Sequence, residues 1–309
     1  MNYEMVDAKK LAGRVVLEEG RKNKDIVVIS TDSAPRTGMT DFIAEFPDRE
    51  IEVGIMEQSG LAVSSGLATQ GKIPVFCAPA PFATARPFEF FKIDVGYMKQ
   101  NVKVLGRNCG FNYSDLGPTH YGLEDLGLTR LIPEVVVLAP LDAGQLEEGL
   151  RAALRYEGPV YLRFRSASIA KIFEKKEFQI GRGQMIREGK DFAIIVTGEI
   201  AVNVLEAVET LTAQGFDPMV IGMPTVCPID EEIIAKAAST GKIITVEEGF
   251  VTGGLGSAVC EVTARKCPAQ VLRLGAPMKY IPAGQFQEEL EFCGLDPAGL
   301  VKSITEFVK

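Results

Sequence analysis

The feature that most constrains this chain is a regular alternation of short apolar runs with helix-like segments along nearly its whole length. Asp25-Ile-Val-Val-Ile-Ser30, Ile73-Pro-Val-Phe-Cys77, Asn101-Val-Lys-Val-Leu-Gly106, Val135 to Ala139 and Val160 to Arg165 read as short buried strands. Helical patterns lie between and around them, over residues 7–22, 39–45, 59–70, 83–97, 123–131 and 142–156. Strands alternating with helices at this spacing imply a parallel sheet covered on both faces. The rhythm breaks over residues 166–190, where Lys171 to Lys176 is charge-rich and Gly181-Arg-Gly183 is turn-prone. A linker with a short strand or two is expected there. The alternation resumes at Asp191, with strands over 192–196, 218–223, 242–247 and 270–274. Helices are expected over 200–214, stopped by Gly215, and over 230–238, capped by Asp230. Others follow over 253–265, 284–291 and 297–308. The chain thus divides into two three-layer α/β units, residues 1–166 and 191–309, joined by a linker over 167–190, with no internal sequence repeat.

Size and charge narrow the function. A chain of 309 residues holds about two domains. A net charge of -8 leaves no basic surplus to displace counterions, which argues against binding nucleic acid. No apolar run approaches the roughly 20 residues that span a bilayer, and the first residues carry no basic-then-apolar signal pattern. The six cysteines form no Cys-x-x-Cys pair, and His120 is the sole histidine, so a Cys/His zinc site is not expected. These features suggest reduced, mostly buried thiols and a cytoplasmic protein.

Three positions carry candidate chemistry. Ile51-Glu-Val-Gly-Ile-Met-Glu-Gln58 runs from an apolar stretch into Glu57, and a small-residue helical segment follows. A carboxylate where a strand ends and a tightly packed helix begins is either a helix cap or a catalytic group. Phe82 sits in Pro79-Ala-Pro-Phe-Ala-Thr-Ala-Arg86, at a helix start, and reads equally as a core residue. His120 follows Gly117-Pro-Thr on a loop after a strand, the kind of place where α/β proteins put chemistry. Gly253-Gly-Leu-Gly256 lacks full dinucleotide-binding spacing and reads as close packing at a helix start.

Val53-Gly-Ile-Met-Glu-Gln58, with Gly66-Leu67-Ala68 behind it, resembles the V-G-I-x-E-Q/H block of the transketolase family. The resemblance implies that Glu57 contacts the aminopyrimidine of thiamine diphosphate, with Ile55 and Gln58 beside it. The segment around Phe82 is similar to the family's F-x-x-F-x-x-x-R, whose second aromatic stacks on the pyrimidine; Phe82 takes that position, while Pro79 replaces the first aromatic and Ala85 a third. Gly117-Pro-Thr-His120 is similar to the family's G-x-x-H, whose His faces substrate and shuttles protons, a task suited to imidazole. Glu247-Glu248 with the Gly253–Gly256 run matches the E-E-x-x-x-x-G-G-L-G segment of the family's C-terminal domain.

The chain also departs from the pattern. Asn108 stands where many transketolases have a sugar-phosphate His, and Leu116 where an Asp contacts a donor hydroxyl. Ser166 replaces a sugar-phosphate Arg, with Arg163 and Arg165 close by, and the Ser of the first loop falls near Arg36. Asn108, Arg36, Arg163 and Arg165 therefore join His120 as candidate substrate-binding residues.

No Gly-Asp-Gly occurs, the motif that opens the family's metal–diphosphate site. The resemblance covers essentially the whole chain but only the second half of a full-length transketolase. That implies a thiamin-diphosphate-binding (pyrimidine) fold followed by a transketolase C-terminal-domain-like fold. It further implies one subunit of a split transketolase, with Mg2+ or Ca2+ held by a separate G-D-G-bearing chain in an α2β2 assembly. The implied activity moves a two-carbon ketol unit from a ketose (phosphate) to an aldose (phosphate). A 1-deoxyxylulose-5-phosphate synthase-like enzyme, a 2-oxo-acid dehydrogenase E1 β-like subunit and a non-catalytic regulatory subunit remain open as alternatives.

Overall fold

A computed structural model describes residues 3–174 and 178–309. The middle of the expected linker, residues 175–177, lies outside the described residues. Two sheets dominate. The first has seven strands in the spatial order Thr225–Cys227, Val136–Leu138, Val160–Phe164, Lys103–Arg107, Ile73–Pro79, Ile26–Ser30 and Glu50–Glu52. All neighbours in it are parallel except the first strand, which runs antiparallel to Val136–Leu138. The second sheet has the order Gln270–Ala276, Lys242–Phe250, Phe192–Thr197, Pro218–Gly222 and Gln184–Arg187, with only the last antiparallel.

Each sheet is covered on both faces, which is why its strands read as unbroken apolar runs. Helices Ala8–Lys22 and Ala143–Arg155 bury Leu11, Val15, Leu146 and Leu150 on one face of the first sheet. Leu61, Phe91, Val95 and Leu126 cover the other. In the second sheet, helices Ala201–Ala213 and Pro297–Val308 pack Val204, Leu211, Leu300 and Ile304 on one face. Ile234, Leu255 and Val259 fill the opposite side. Two three-layer α/β units result.

Local chemistry sets most element ends. Asp7 caps its helix by accepting from the Lys10 N–H at 2.9 Å. Asp230 accepts from Glu232 and Ile233, as its position predicts. Gly215 lies just past the helix Ala201–Ala213 with φ +93°.

Several elements differ from the sequence reading. The helix expected over 83–97 is divided: Ala80–Thr84 is followed by a turn, then Phe88–Phe90 and a π-helical stretch Phe91–Tyr97. Pro87, in that turn, lacks the N–H that would continue the first helix. The helix expected from Ser59 begins at Glu57 instead. Glu4–Asp7 and Ser168–Lys171 form a two-stranded antiparallel sheet, joining the chain's start to the linker. Thr225–Cys227 leaves the second half of the chain to edge the first sheet. Both pairings join residues far apart in sequence, so local patterning gives no sign of them.

Candidate functional site

Three parallel strands of the first sheet, with Ile26–Ser30 between the first two, bring the candidate residues to one edge. Glu50–Glu52 leads to Glu57, Ile73–Pro79 to Phe82, and Lys103–Arg107 to Asn108 and the loop bearing His120. The carboxyl edge of a parallel sheet is where such folds place ligands.

Glu57 is the first residue of the helix Glu57–Ala68 and is only 3% exposed. The helix sits close to the sheet because Gly60 meets the Phe76 ring, where a Cβ would stand 2.6 Å from a ring carbon. Among the described residues the carboxylate has one charged partner, Arg86, whose Nη1 donates to Oε2 at 2.8 Å. The same guanidinium lies 4.2 Å above the centre of the Phe82 ring. Phe82 in turn meets His120 edge-to-face, with centroids 5.2 Å apart. Tyr113 also meets His120, with centroids 5.8 Å apart, and Thr119 Oγ1 lies 2.8 Å from His120 Nδ1. Arg86 thus links Glu57 to Phe82, and Phe82 meets His120, so residues separated by up to 63 positions in sequence lie together. Sequence reasoning assigned Arg86 no role, although it ends the aromatic-plus-Arg motif around Phe82.

The His120 loop is held from both halves of the chain. Gly110 and Gly122 exchange backbone hydrogen bonds at 3.0 and 2.9 Å, closing its base. Glu248 presses against Gly110, where any Cβ would collide with its carboxylate, and accepts from the Phe111 N–H at 2.7 Å. Tyr121, next to His120, is buried and donates to Glu289 Oε1 at 2.8 Å. Burial and that carboxylate push the Tyr121 phenol well above its ordinary range.

Asn108 is buried in a left-handed backbone conformation, φ +53°. Its Oδ1 accepts from Arg107 Nη1 at 2.6 Å and Ser166 Oγ at 2.8 Å, and its Nδ2 donates to Asn112 at 2.8 Å. Arg107 Nη1 also donates to the Tyr113 hydroxyl at 2.9 Å, which ties this network to the ring beside His120.

Arg36 is exposed and shares a cavity of about 460 Å3 with Asp32, Ser33, Ala34, Glu52 and Ile55. Ser33 Oγ is buried without a hydrogen-bond partner. Ile55 and Met56 are 68% and 55% exposed, large apolar side chains held at the surface beside a buried carboxylate. Gln58 is half-buried.

The two arginines expected at the substrate have acidic partners in this structure. Arg163 is 4% exposed, pairs with Asp125 at 2.8 Å and donates to the Glu248 carbonyl at 2.8 Å. Arg165 pairs with Glu248, gives its backbone N–H to Glu199 at 3.1 Å and lies over the Phe286 ring. Burial raises the carboxyls of Asp125 and Glu199, and the arginines oppose that shift. These guanidiniums neutralise acids at the junction of the two halves. Nearby, the Glu247 carboxylate accepts from Leu255 and Gly256 at 2.9 and 2.8 Å, in space that Gly254 leaves open. The Gly253–Gly256 run thus serves close packing at a helix start.

Among the described residues, no group of three or more His, Cys, Asp or Glu could hold a metal ion, and no helix is long and apolar enough to cross a membrane. The six cysteines are free thiols. Cys77 and Cys109 are buried and the other four only half-buried, which corrects the expectation of mostly buried thiols.

The fold and this edge define an α/β protein that sets a buried carboxylate beside an aromatic face at the carboxyl ends of parallel strands. Residues 4–170 match the transketolase pyrimidine binding domain and residues 181–300 the transketolase C-terminal domain. The chain is 36% identical, over the full length of both proteins, to one of the subunits of the apulose-4-phosphate transketolase of Phocaeicola vulgatus. It is 36% identical to a putative transketolase C-terminal section of Methanocaldococcus jannaschii, covering 97% of this chain and 96% of that one. A solved structure described as a split gene transketolase, inactive beta4 tetramer, superposes with a TM-score of 0.89 at 34% identity, covering 98% of each chain. The chain belongs to the transketolase family.

Proposed function

We propose that this chain is the pyrimidine-domain subunit of a split transketolase, moving a two-carbon ketol unit from a ketose to an aldose together with a second polypeptide. In this reading residues 1–166 form the pyrimidine-binding domain, 167–190 the linker and 191–309 the C-terminal domain. The observation that carries it is the meeting of Glu57, Phe82 and His120 around one ring face.

The residues suit the aminopyrimidine of thiamine diphosphate. Glu57 offers a buried carboxylate to a ring nitrogen, and Phe82 offers a flat apolar face already taken by a planar cation. Ile55 and Gln58 flank the entry. When bound, the cofactor supplies the electron sink for carbon–carbon bond cleavage. Glu57 would hold the pyrimidine ring through a hydrogen bond between its carboxylate and a ring nitrogen. His120, half-buried at the edge of Phe82, is placed to exchange protons with substrate hydroxyls. Arg36, with the unpartnered Ser33 hydroxyl beside it, offers an exposed cation to an anionic or hydroxylated substrate end. Asn108 acts through the Arg107–Tyr113 contacts that brace the His120 ring. The divalent metal and diphosphate would be held by the partner's G-D-G motif, in an α2β2 complex.

The test mixes this chain with a G-D-G-bearing partner, Mg2+ and thiamine diphosphate. Xylulose 5-phosphate with ribose 5-phosphate, and pyruvate with glyceraldehyde 3-phosphate, are offered in parallel. Ketose-dependent turnover only in the mixture is expected. Pyruvate-dependent turnover would reassign the chain to a synthase-like enzyme.

A further inference from the structure

We infer that Arg86 is a built-in placeholder for the aminopyrimidine, holding the ring site in its cofactor-free form and competing with the cofactor for it. The inference rests on reading Glu57 and Phe82 as the pyrimidine site.

The guanidinium makes both contacts that an aminopyrimidine needs there. It stacks on Phe82 at 4.2 Å and donates to the Glu57 carboxylate at 2.8 Å. A guanidinium is planar, rich in N–H donors and prone to stack on aromatic faces, so it resembles a protonated amino-heterocycle in shape and bonding. The carboxylate could accept a second donor at Oε1, but the ring contact cannot be shared. One face of Phe82 admits one stacked group, and a ring entering against that face needs the space that the guanidinium fills.

The placeholder also has a reason to exist. Glu57 is almost fully buried, and a buried carboxylate without a partner is strongly unfavourable. Arg86 supplies the counter-charge and keeps water off the Phe82 face until the cofactor arrives. It is free to leave. Its side chain is 39% exposed, and it lies in the turn between Ala80–Thr84 and Phe88–Phe90, so a change of rotamer moves it to solvent without disturbing a helix.

The experiment is a calorimetric titration of thiamine diphosphate, with Mg2+, into the complex of this chain with its partner. Arg86→Ala is expected to bind the cofactor about tenfold more tightly than the native complex, the scale of one half-exposed ion pair plus one cation–π contact. Arg86→Lys keeps the charge but loses the planar stack, and should fall between. Inorganic diphosphate, which has no pyrimidine, should bind Arg86→Ala and the native complex alike. Without cofactor, the isolated Arg86→Ala chain should melt at a lower temperature than the native chain, because Glu57 has lost its partner.

Unchanged or weaker cofactor affinity in Arg86→Ala overturns the placeholder. So does an equal change for inorganic diphosphate, which would mean that Arg86 acts on the phosphate end. Glu57→Gln and Phe82→Ala separate the two levels. If both weaken the cofactor while Arg86→Ala does not tighten it, the placeholder fails and the pyrimidine site stands. If neither changes the affinity, both fail.

Discussion

The site at residue scale is a buried acid paired with an arginine that lies over an aromatic ring, with a histidine against the same ring. Glu57→Gln keeps the shape and a hydrogen-bonding group but removes the charge that Arg86 pairs with. It should abolish most ketol transfer in the reconstituted complex while circular dichroism stays native, and near-native turnover would sink the assigned role. His120 is half-buried and, among the described residues, carries no hydrogen bond beyond that to Thr119 and its own backbone turn. His120→Ala is therefore expected to lower kcat by roughly 10²–10⁴-fold, the usual range for a general acid–base, with little change in melting temperature. Lys103 lies away from this edge and gives a pH signature. Its fully buried ammonium donates to the Tyr156 and Gly158 carbonyls at 2.6 and 2.7 Å, and burial lowers its pKa to about 7. Between that value and the ordinary value of about 10.4, the unfolded chain binds the extra proton, so this group's contribution to stability rises with pH. The slope can reach at most about 1.4 kcal/mol per pH unit for one proton. Urea unfolding at pH 7.5 and pH 9 should show native stability gaining on Lys103→Met as pH rises; a constant difference would refute the buried ammonium's role.

At the scale of elements, the loop from Gly110 to Gly122 matters most. Its ends are joined by the Gly110–Gly122 bridge, while its position is set by the second half of the chain through Glu248, Glu289 and the Gly284 N–H, which donates to Ser114. Tyr121→Phe deletes the donor to Glu289 and leaves that carboxylate buried and short of a partner. A loss of about 1–3 kcal/mol in unfolding free energy is expected, together with reduced turnover through a looser His120. This loop also marks the limit of sequence reading. Gly117-Pro-Thr-His120 was legible as a loop because turn residues follow a strand, and its likeness to the family's G-x-x-H made His120 a candidate. The partners that hold it were not, since Glu248 lies 137 and Glu289 168 positions from the loop residues they bind. Arg163 and Arg165 illustrate the same point. Their acidic partners Asp125 and Glu248 lie 38 and 83 positions away, so the pairing too was invisible in the local sequence.

For the whole molecule, Ile55 and Met56 are a surface that one chain leaves uncovered beside the buried acid Glu57. Under the proposed function the partner polypeptide covers them. Met56→Asp should weaken assembly with the partner, read by light scattering after size exclusion, while the isolated chain keeps its melting temperature. Undiminished assembly would place the contact elsewhere. The layered α/β plan is dictated by the order of residues alone, because strands buried on both faces must be continuously apolar and covering helices must repeat every three to four residues. The same holds for which residues stand at strand ends, since a catalytic motif is local. Which of those residues meet is settled only when the chain is folded. Strand order brings Glu57, Phe82 and His120 to one edge, and side-chain pairing then leaves Arg36 in the open, locks Arg163 and Arg165 away and lays Arg86 on the ring. Those outcomes depend on burial and charge balance among residues far apart in the chain, quantities that no local stretch of sequence contains.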